Sequence, residues 1–112
     1  MSAVWVTLWF RAFVATLVVE SAVATPLLKG HAWTRRLGAL LLVNVATHPI
    51  VWFVIPVLTR RSLSWTESVI VSETWAILGE TAAYRLIFPD LSWKRCLAIS
   101  ALANLASTAI GL

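Results

Sequence analysis

The sequence predicts an all-α membrane protein, a four-helix transmembrane bundle built from two helical hairpins. Three observations predict it. The 112 residues are 60% hydrophobic and only 12% charged, with a mean hydropathy of +0.85, whereas a soluble domain is about half apolar and about a quarter charged. Four long apolar stretches, 4–28, 37–58, 65–88 and 94–112, each approach or exceed the roughly 20 residues that span a bilayer as helix. The chain also repeats itself at a constant offset of 60 residues: Trp5, Glu20, Trp33, Arg35, Leu37, Leu42, Asn44, Ala46 and Ile50 recur as Trp65, Glu80, Trp93, Arg95, Leu97, Leu102, Asn104, Ala106 and Ile110.

The apolar stretches are continuous rather than alternating, which disfavours strands. Backbone groups in lipid must bond within their own segment, so helices follow. The first stretch lacks the basic start of a signal peptide, and Glu20 would sit badly in a signal core, so it reads as a mature helix. Pro26 lies near its end. The second stretch carries Pro49 and Pro56, which remove the amide partners of the Val45 and Trp52 carbonyls and predict a broken helix beside His48. The third holds Glu73, Glu80 and Tyr84. The fourth is small and hydroxylated along Ser100, Asn104, Ser107, Thr108 and Gly111, which permits close helix approach. The expected organisation is one transmembrane domain over 1–112, with candidate parallel repeats at 1–52 and 61–112 related by an axis along the membrane normal.

The net charge of +4 does not point to nucleic acid, because the cations gather at segment ends. Lys29, Arg35 and Arg36 flank the first loop. Arg85, Lys94 and Arg95 flank the third. Only Arg60 and Arg61 lie in the middle loop. The positive-inside rule then places loops one and three in the cytoplasm and both termini outside, in an integral protein of a bacterial inner membrane. Trp5, Trp9, Trp33, Trp65 and Trp93 read as an interfacial belt, Arg11 as a snorkelling side chain, Glu67 as interfacial and His31 as a solvated loop residue. Cys96 is the single cysteine, which excludes an internal disulfide and a cysteine-based metal cluster, and reads as a small apolar filler.

A polar group in hydrocarbon needs a reason to persist. Glu20 and Asn44 lie equally far from the first turn, and Glu80 and Asn104 equally far from the second, each about 18 Å along its helix at 1.5 Å per residue. The four side chains therefore fall in one layer near the bilayer middle and form the expected ion- or proton-binding site. Two carboxylates there can share a proton, or bind a cation together with the amide oxygens. His48, one turn from Asn44, Glu73, two turns from Glu80, and Tyr84 form the expected proton relay. Metal binding stays open: one buried histidine with carboxylates on separate helices is not the signature of a ligand set. No cofactor is named, and neither a Gly-x-Ser-x-Gly elbow nor a His-Glu-x-x-His pair occurs.

The expected function is transport or channelling of a small cation, a proton or a proton-coupled solute. The partners expected are the lipid bilayer and that ion, in a homo-oligomer or membrane complex. The alternatives are a non-catalytic membrane subunit, in which the polar groups glue helices or dock a partner, and an intramembrane enzyme, metal-dependent in one version.

Overall fold

Serine caps open the first and third helices. Ser2 Oγ accepts from the Trp5 amide at 3.1 Å. Ser64 Oγ accepts from the Glu67 amide at 3.1 Å, and Glu67 reaches back to the Ser64 amide at 3.0 Å, a reciprocal capping box. Glu67, expected at the interface, is thus a cap. The computed structural model describes residues 2–111. Met1 and Leu112, the ends of the expected domain, lie outside them. The described residues form four helices and no strand: α1 over Ala3–Leu27, α2 over Trp33–Thr59, α3 over Trp65–Ile87 and α4 over Trp93–Gly111.

Helix α2 starts at Trp33, four residues before the apolar run. The apolar run marks which residues avoid water, whereas Thr34, Arg35 and Arg36 continue the helix beyond it. Pro26 is absorbed in the last turns of α1. Pro49 and Pro56 are not absorbed so simply. Between them, Ile50–Val54 widens into one turn of π-helix, in which the Ile55 amide bonds the Ile50 carbonyl five residues back. Such a turn is a usual answer to a disrupted hydrogen-bond ladder.

Helices α1 and α3 each pack against both α2 and α4, so α1 faces α3 and α2 faces α4 across the bundle. The long axis measures 44 Å. One end is closed by an apolar cluster of Leu28, Leu40, Val43, Tyr84, Phe88, Cys96 and Ile99. Polarity runs inside-out. Val4, Leu8, Val18, Leu41, Leu42, Ile70, Leu78, Leu86, Leu102 and Ile110 are exposed, while Glu20, Asn44, Glu80, Ser100 and Asn104 are buried. That is the reverse of what water selects. By length and apolarity two helices, α1 and α2, could cross a membrane. Four apolar spans were expected. Helices α3 and α4 carry more charge for their length, with Glu67, Glu73, Glu80 and Arg85 on the one and Lys94 and Arg95 on the other, which lowers their apolarity.

The two halves are joined by contacts that exchange. Arg35 Nη2 donates to the Ile87 carbonyl at 2.6 Å, and Arg95 Nη2 donates to the Leu27 carbonyl at 3.0 Å. Each residue of the second bond lies 60 positions from its counterpart in the first. Each guanidinium thus satisfies a carbonyl at the helix end of the other half, where the helix dipole favours a cation. Burial follows the same spacing: Glu20 with Glu80, Leu28 with Phe88, Val43 with Ala103 and Asn44 with Asn104 are all buried. His31, expected to be solvated, breaks the symmetry. Its Nε2 meets Asp90 Oδ2 at 2.9 Å, its Nδ1 meets the Leu28 carbonyl at 3.1 Å, and its ring lies edge-on to Phe88. The loops fold over one another closely enough to enlist it.

Two outcomes follow for this end of the bundle. Arg35→Ala and Arg95→Ala should each lower unfolding stability in detergent by about 1 kcal/mol, because each frees one carbonyl. The larger loss in thermal melts is expected for Arg35→Ala, since Arg35 also lies over the Phe88 ring at 4.8 Å. For Asp90, desolvation pushes its carboxyl up, but hydrogen bonds from its own backbone and from His31, with the charges of His31 and Arg35, hold it below its ordinary value. A lowered carboxyl stabilises the fold above the unfolded value of about 3.9 and loses that contribution as pH falls through the folded value. The difference in melting temperature between wild type and Asp90→Asn should therefore shrink as pH is taken from about 7 to about 3.

Candidate functional site

A cavity of about 710 Å³ enters the bundle from the end opposite the arginine contacts. Its mouth is framed by Trp5, Arg60 and Trp65, and its floor by Glu20, Asn44 and Asn104. Below that floor lies the apolar cluster around Tyr84 and Phe88. The cavity is therefore blind: open at one end of the bundle and plugged at the other.

The floor is built by facing helices. Glu20 on α1 and Glu80 on α3 are each 1% exposed, and their carboxyl groups come within hydrogen-bonding reach of each other across the bundle. Two ionised carboxylates would repel at that distance, whereas one shared proton makes a hydrogen bond between them. Asn104 Nδ2 donates to Glu80 Oε2 and also to the Ser100 carbonyl one turn back. Asn44 Nδ2 donates to the Leu40 carbonyl, likewise one turn back, at 2.9 Å. These backbone acceptors fix both amides, because only the NH2 side can face a carbonyl. Apart from a proton shared within the pair, both Glu20 oxygens and Glu80 Oε1 receive no hydrogen bond from the described residues. Of the four residues expected in this layer, then, Glu80 meets both Glu20 and Asn104. Asn44 lines the same floor but is bonded to its own helix.

The residues expected to relay protons are distributed differently. Tyr84 is buried beneath the pair, near both Glu80 and Glu20, with an unpartnered hydroxyl. Glu73 lines the cavity wall beside the Thr108 hydroxyl. His48 also lines the wall, but its ring bonds elsewhere. Trp9 Nε1 donates to His48 Nδ1 at 3.0 Å, and His48 Nε2 lies 3.5 Å from Thr16 Oγ1. An indole N–H can only donate, so Nδ1 must be the acceptor and Nε2 carries the proton. The imidazole is thereby held neutral in one tautomer, edge-on to Phe13 and stacked near Trp52. No hydrogen bond joins it to Glu73.

Trp9 is the site residue that sequence reasoning missed; it was expected in the interfacial belt. The signal available was its spacing from Thr16, two turns along one face of α1 at the depth of His48. Among the described residues, no group of three or more His, Cys, Asp or Glu side chains converges as metal ligands would. No protein-family model matches the chain, and no curated protein or solved structure is significantly similar to it.

Trp9→Phe keeps the ring packing and removes the donor, so it should cost about 1 kcal/mol. Its sharper consequence is spectroscopic. Nitrogen NMR of the wild type should report a neutral His48 protonated on Nε2, and the variant should lose that fixed tautomer. A wild-type spectrum with the proton on Nδ1 would overturn the assignment.

Proposed function

We propose that the chain is a four-helix transmembrane bundle that moves a small cation, a proton or a proton-coupled solute across a bacterial inner membrane. The observation that carries this reading is the blind cavity ending on a buried carboxyl pair. A cavity open to one side, with its titratable groups at the closed end, suits a site that loads from one compartment and needs a second conformation to discharge. Carboxylates buried at membrane depth mark ion and proton pathways more often than they mark structure.

Several features support the membrane setting. The apolar outer surface and polar interior suit lipid on the outside. The 44 Å long axis compares with the roughly 40–45 Å of a bilayer with its headgroups. Lys29, Arg35, Arg36, Arg85, Lys94 and Arg95 gather around loops one and three, which the positive-inside rule assigns to the cytoplasm. Both termini and the cavity mouth then face outward. In this reading Glu20 and Glu80 carry the proton or cation, Asn44 and Asn104 orient it, and Glu73 and Tyr84 line its approach and its exit. His48, neutral and bonded to Trp9, shapes the wall, and a relay role for it requires first breaking the indole bond. A cavity this large in so small a chain also favours a homo-oligomer or membrane complex that shields its walls.

Reconstitution in liposomes tests the reading. The wild type should raise the flux of protons or monovalent cations above that of protein-free vesicles. The Glu20→Gln, Glu80→Gln double variant should lose that flux by at least about tenfold, since the ionisable pair is gone. Unchanged flux in the double variant would sink the proposal.

A further inference from the structure

The floor of the cavity has an imbalance of donors and acceptors that bears on what it holds. Asn104 spends its amide hydrogens on Glu80 and on the Ser100 carbonyl, and Asn44 directs its amide at the Leu40 carbonyl. The hydroxyls of Thr47 and Ser107 donate to the main-chain carbonyls of Val43 and Asn104. The His48 N–H is directed at Thr16. Acceptors are left over at the floor: the amide oxygens of Asn44 and Asn104, both of which line the cavity, and, deeply buried beside them, the Glu20 carboxyl, to which no neighbouring amide or hydroxyl donates. Glu73 adds another unpartnered buried oxygen in the wall. Buried acceptors without donors are costly, so an occupant that brings several N–H or O–H groups is favoured.

Size and lining narrow the occupant. A bare ion fills only a small part of about 710 Å³, a volume within the usual range of pockets for organic ligands. Above the polar floor the walls are largely apolar, with the rings of Trp52, Trp5 and Trp65 towards the mouth. The one guanidinium on the lining, Arg60, stands at the mouth, far from the acidic floor.

We propose that the cavity binds a small organic primary amine. Its ammonium group donates to Glu20 and to the amide oxygens of Asn44 and Asn104, and its apolar body lies against the tryptophans above. A primary ammonium carries three donors around one charge, which matches a carboxylate and two amide oxygens on three separate helices. A quaternary ammonium has the charge but no donor and leaves those oxygens unpaired. This inference deepens the transport reading by naming the substrate class and rests on it for its biological meaning, but binding is measured separately from flux.

The experiment is a titration of the detergent-purified protein, followed by tryptophan fluorescence and calorimetry. The ligands are phenethylamine, its N,N,N-trimethyl analogue, the neutral isostere 2-phenylethanol, and sodium ion. Phenethylamine should bind at least about tenfold more tightly than either organic analogue, the equivalent of one good charge-assisted hydrogen bond. Glu20→Gln should weaken it by a similar factor while the trimethyl analogue changes less, since it never made those bonds. Equal or tighter binding of the trimethyl analogue would overturn the proposal, because charge alone would then be recognised. Equal binding of 2-phenylethanol would overturn it too, because the floor would then be irrelevant. Absence of saturable amine binding in a protein that still conducts protons or sodium in liposomes would discard the amine and leave the transport reading standing. Amine binding with no flux of any ion or amine would do the converse. Should Glu20→Gln fail to fold, the comparison among ligands on the wild type still decides the matter.

Discussion

The contact between Glu20 and Glu80 is the constraint around which the bundle is arranged. These residues stand on helices that face one another across the bundle, so their meeting fixes the relative depth of α1 and α3. It also requires α2 and α4 to stand at the remaining corners, where Asn104 can reach Glu80 and Asn44 can line the same floor. Two carboxyl groups in an apolar interior are tolerable only with a proton, a cation or several donors between them. The chain supplies one donor, from Asn104, and leaves three oxygens unsatisfied. A group retained merely as glue between helices would be expected to have its partners within the protein.

Much of the fold was legible in the sequence because the physics behind it is one-dimensional. Apolar runs of membrane length produce helices wherever the backbone must satisfy itself, and a count of residues from each turn puts Glu20, Glu80, Asn44 and Asn104 at a common depth. Rotation about each helix axis was harder to read. Every helix here is apolar on most sides, so periodicity says little about which face looks inward. That is why Asn44 could be assigned a depth but not a partner, and why Glu73 was paired with His48 when the imidazole bonds Trp9 and Thr16 instead. Tryptophans suffer the same ambiguity. Trp33 and Trp93 stand exposed at helix starts, as belt residues would, while Trp9 turns inward to donate a hydrogen bond.

The halves agree where they seal and differ where they open. At the closed end, burial and the bonds of Arg35 and Arg95 repeat at the 60-residue offset, though His31 and Arg36 do not. Towards the mouth the correspondence fails. His48 corresponds to Thr108, Pro49 to Ala109, and Glu73 to Phe13. The widened turn carries Val51 and Trp52, both on the cavity lining, so the irregular backbone sits where the two halves differ most. A symmetric base with an asymmetric vestibule gives the site a direction that two identical hairpins would lack.

The exchanged arginines also set an order of events. Arg36 can cover the Thr25 carbonyl as soon as the first hairpin exists, because both belong to it. The Leu27 carbonyl must wait for Arg95, 68 residues later in the chain. The end of α1 is thus completed only once α4 has packed against it. Without α4, α1 would have an unfinished end and no neighbour on that side.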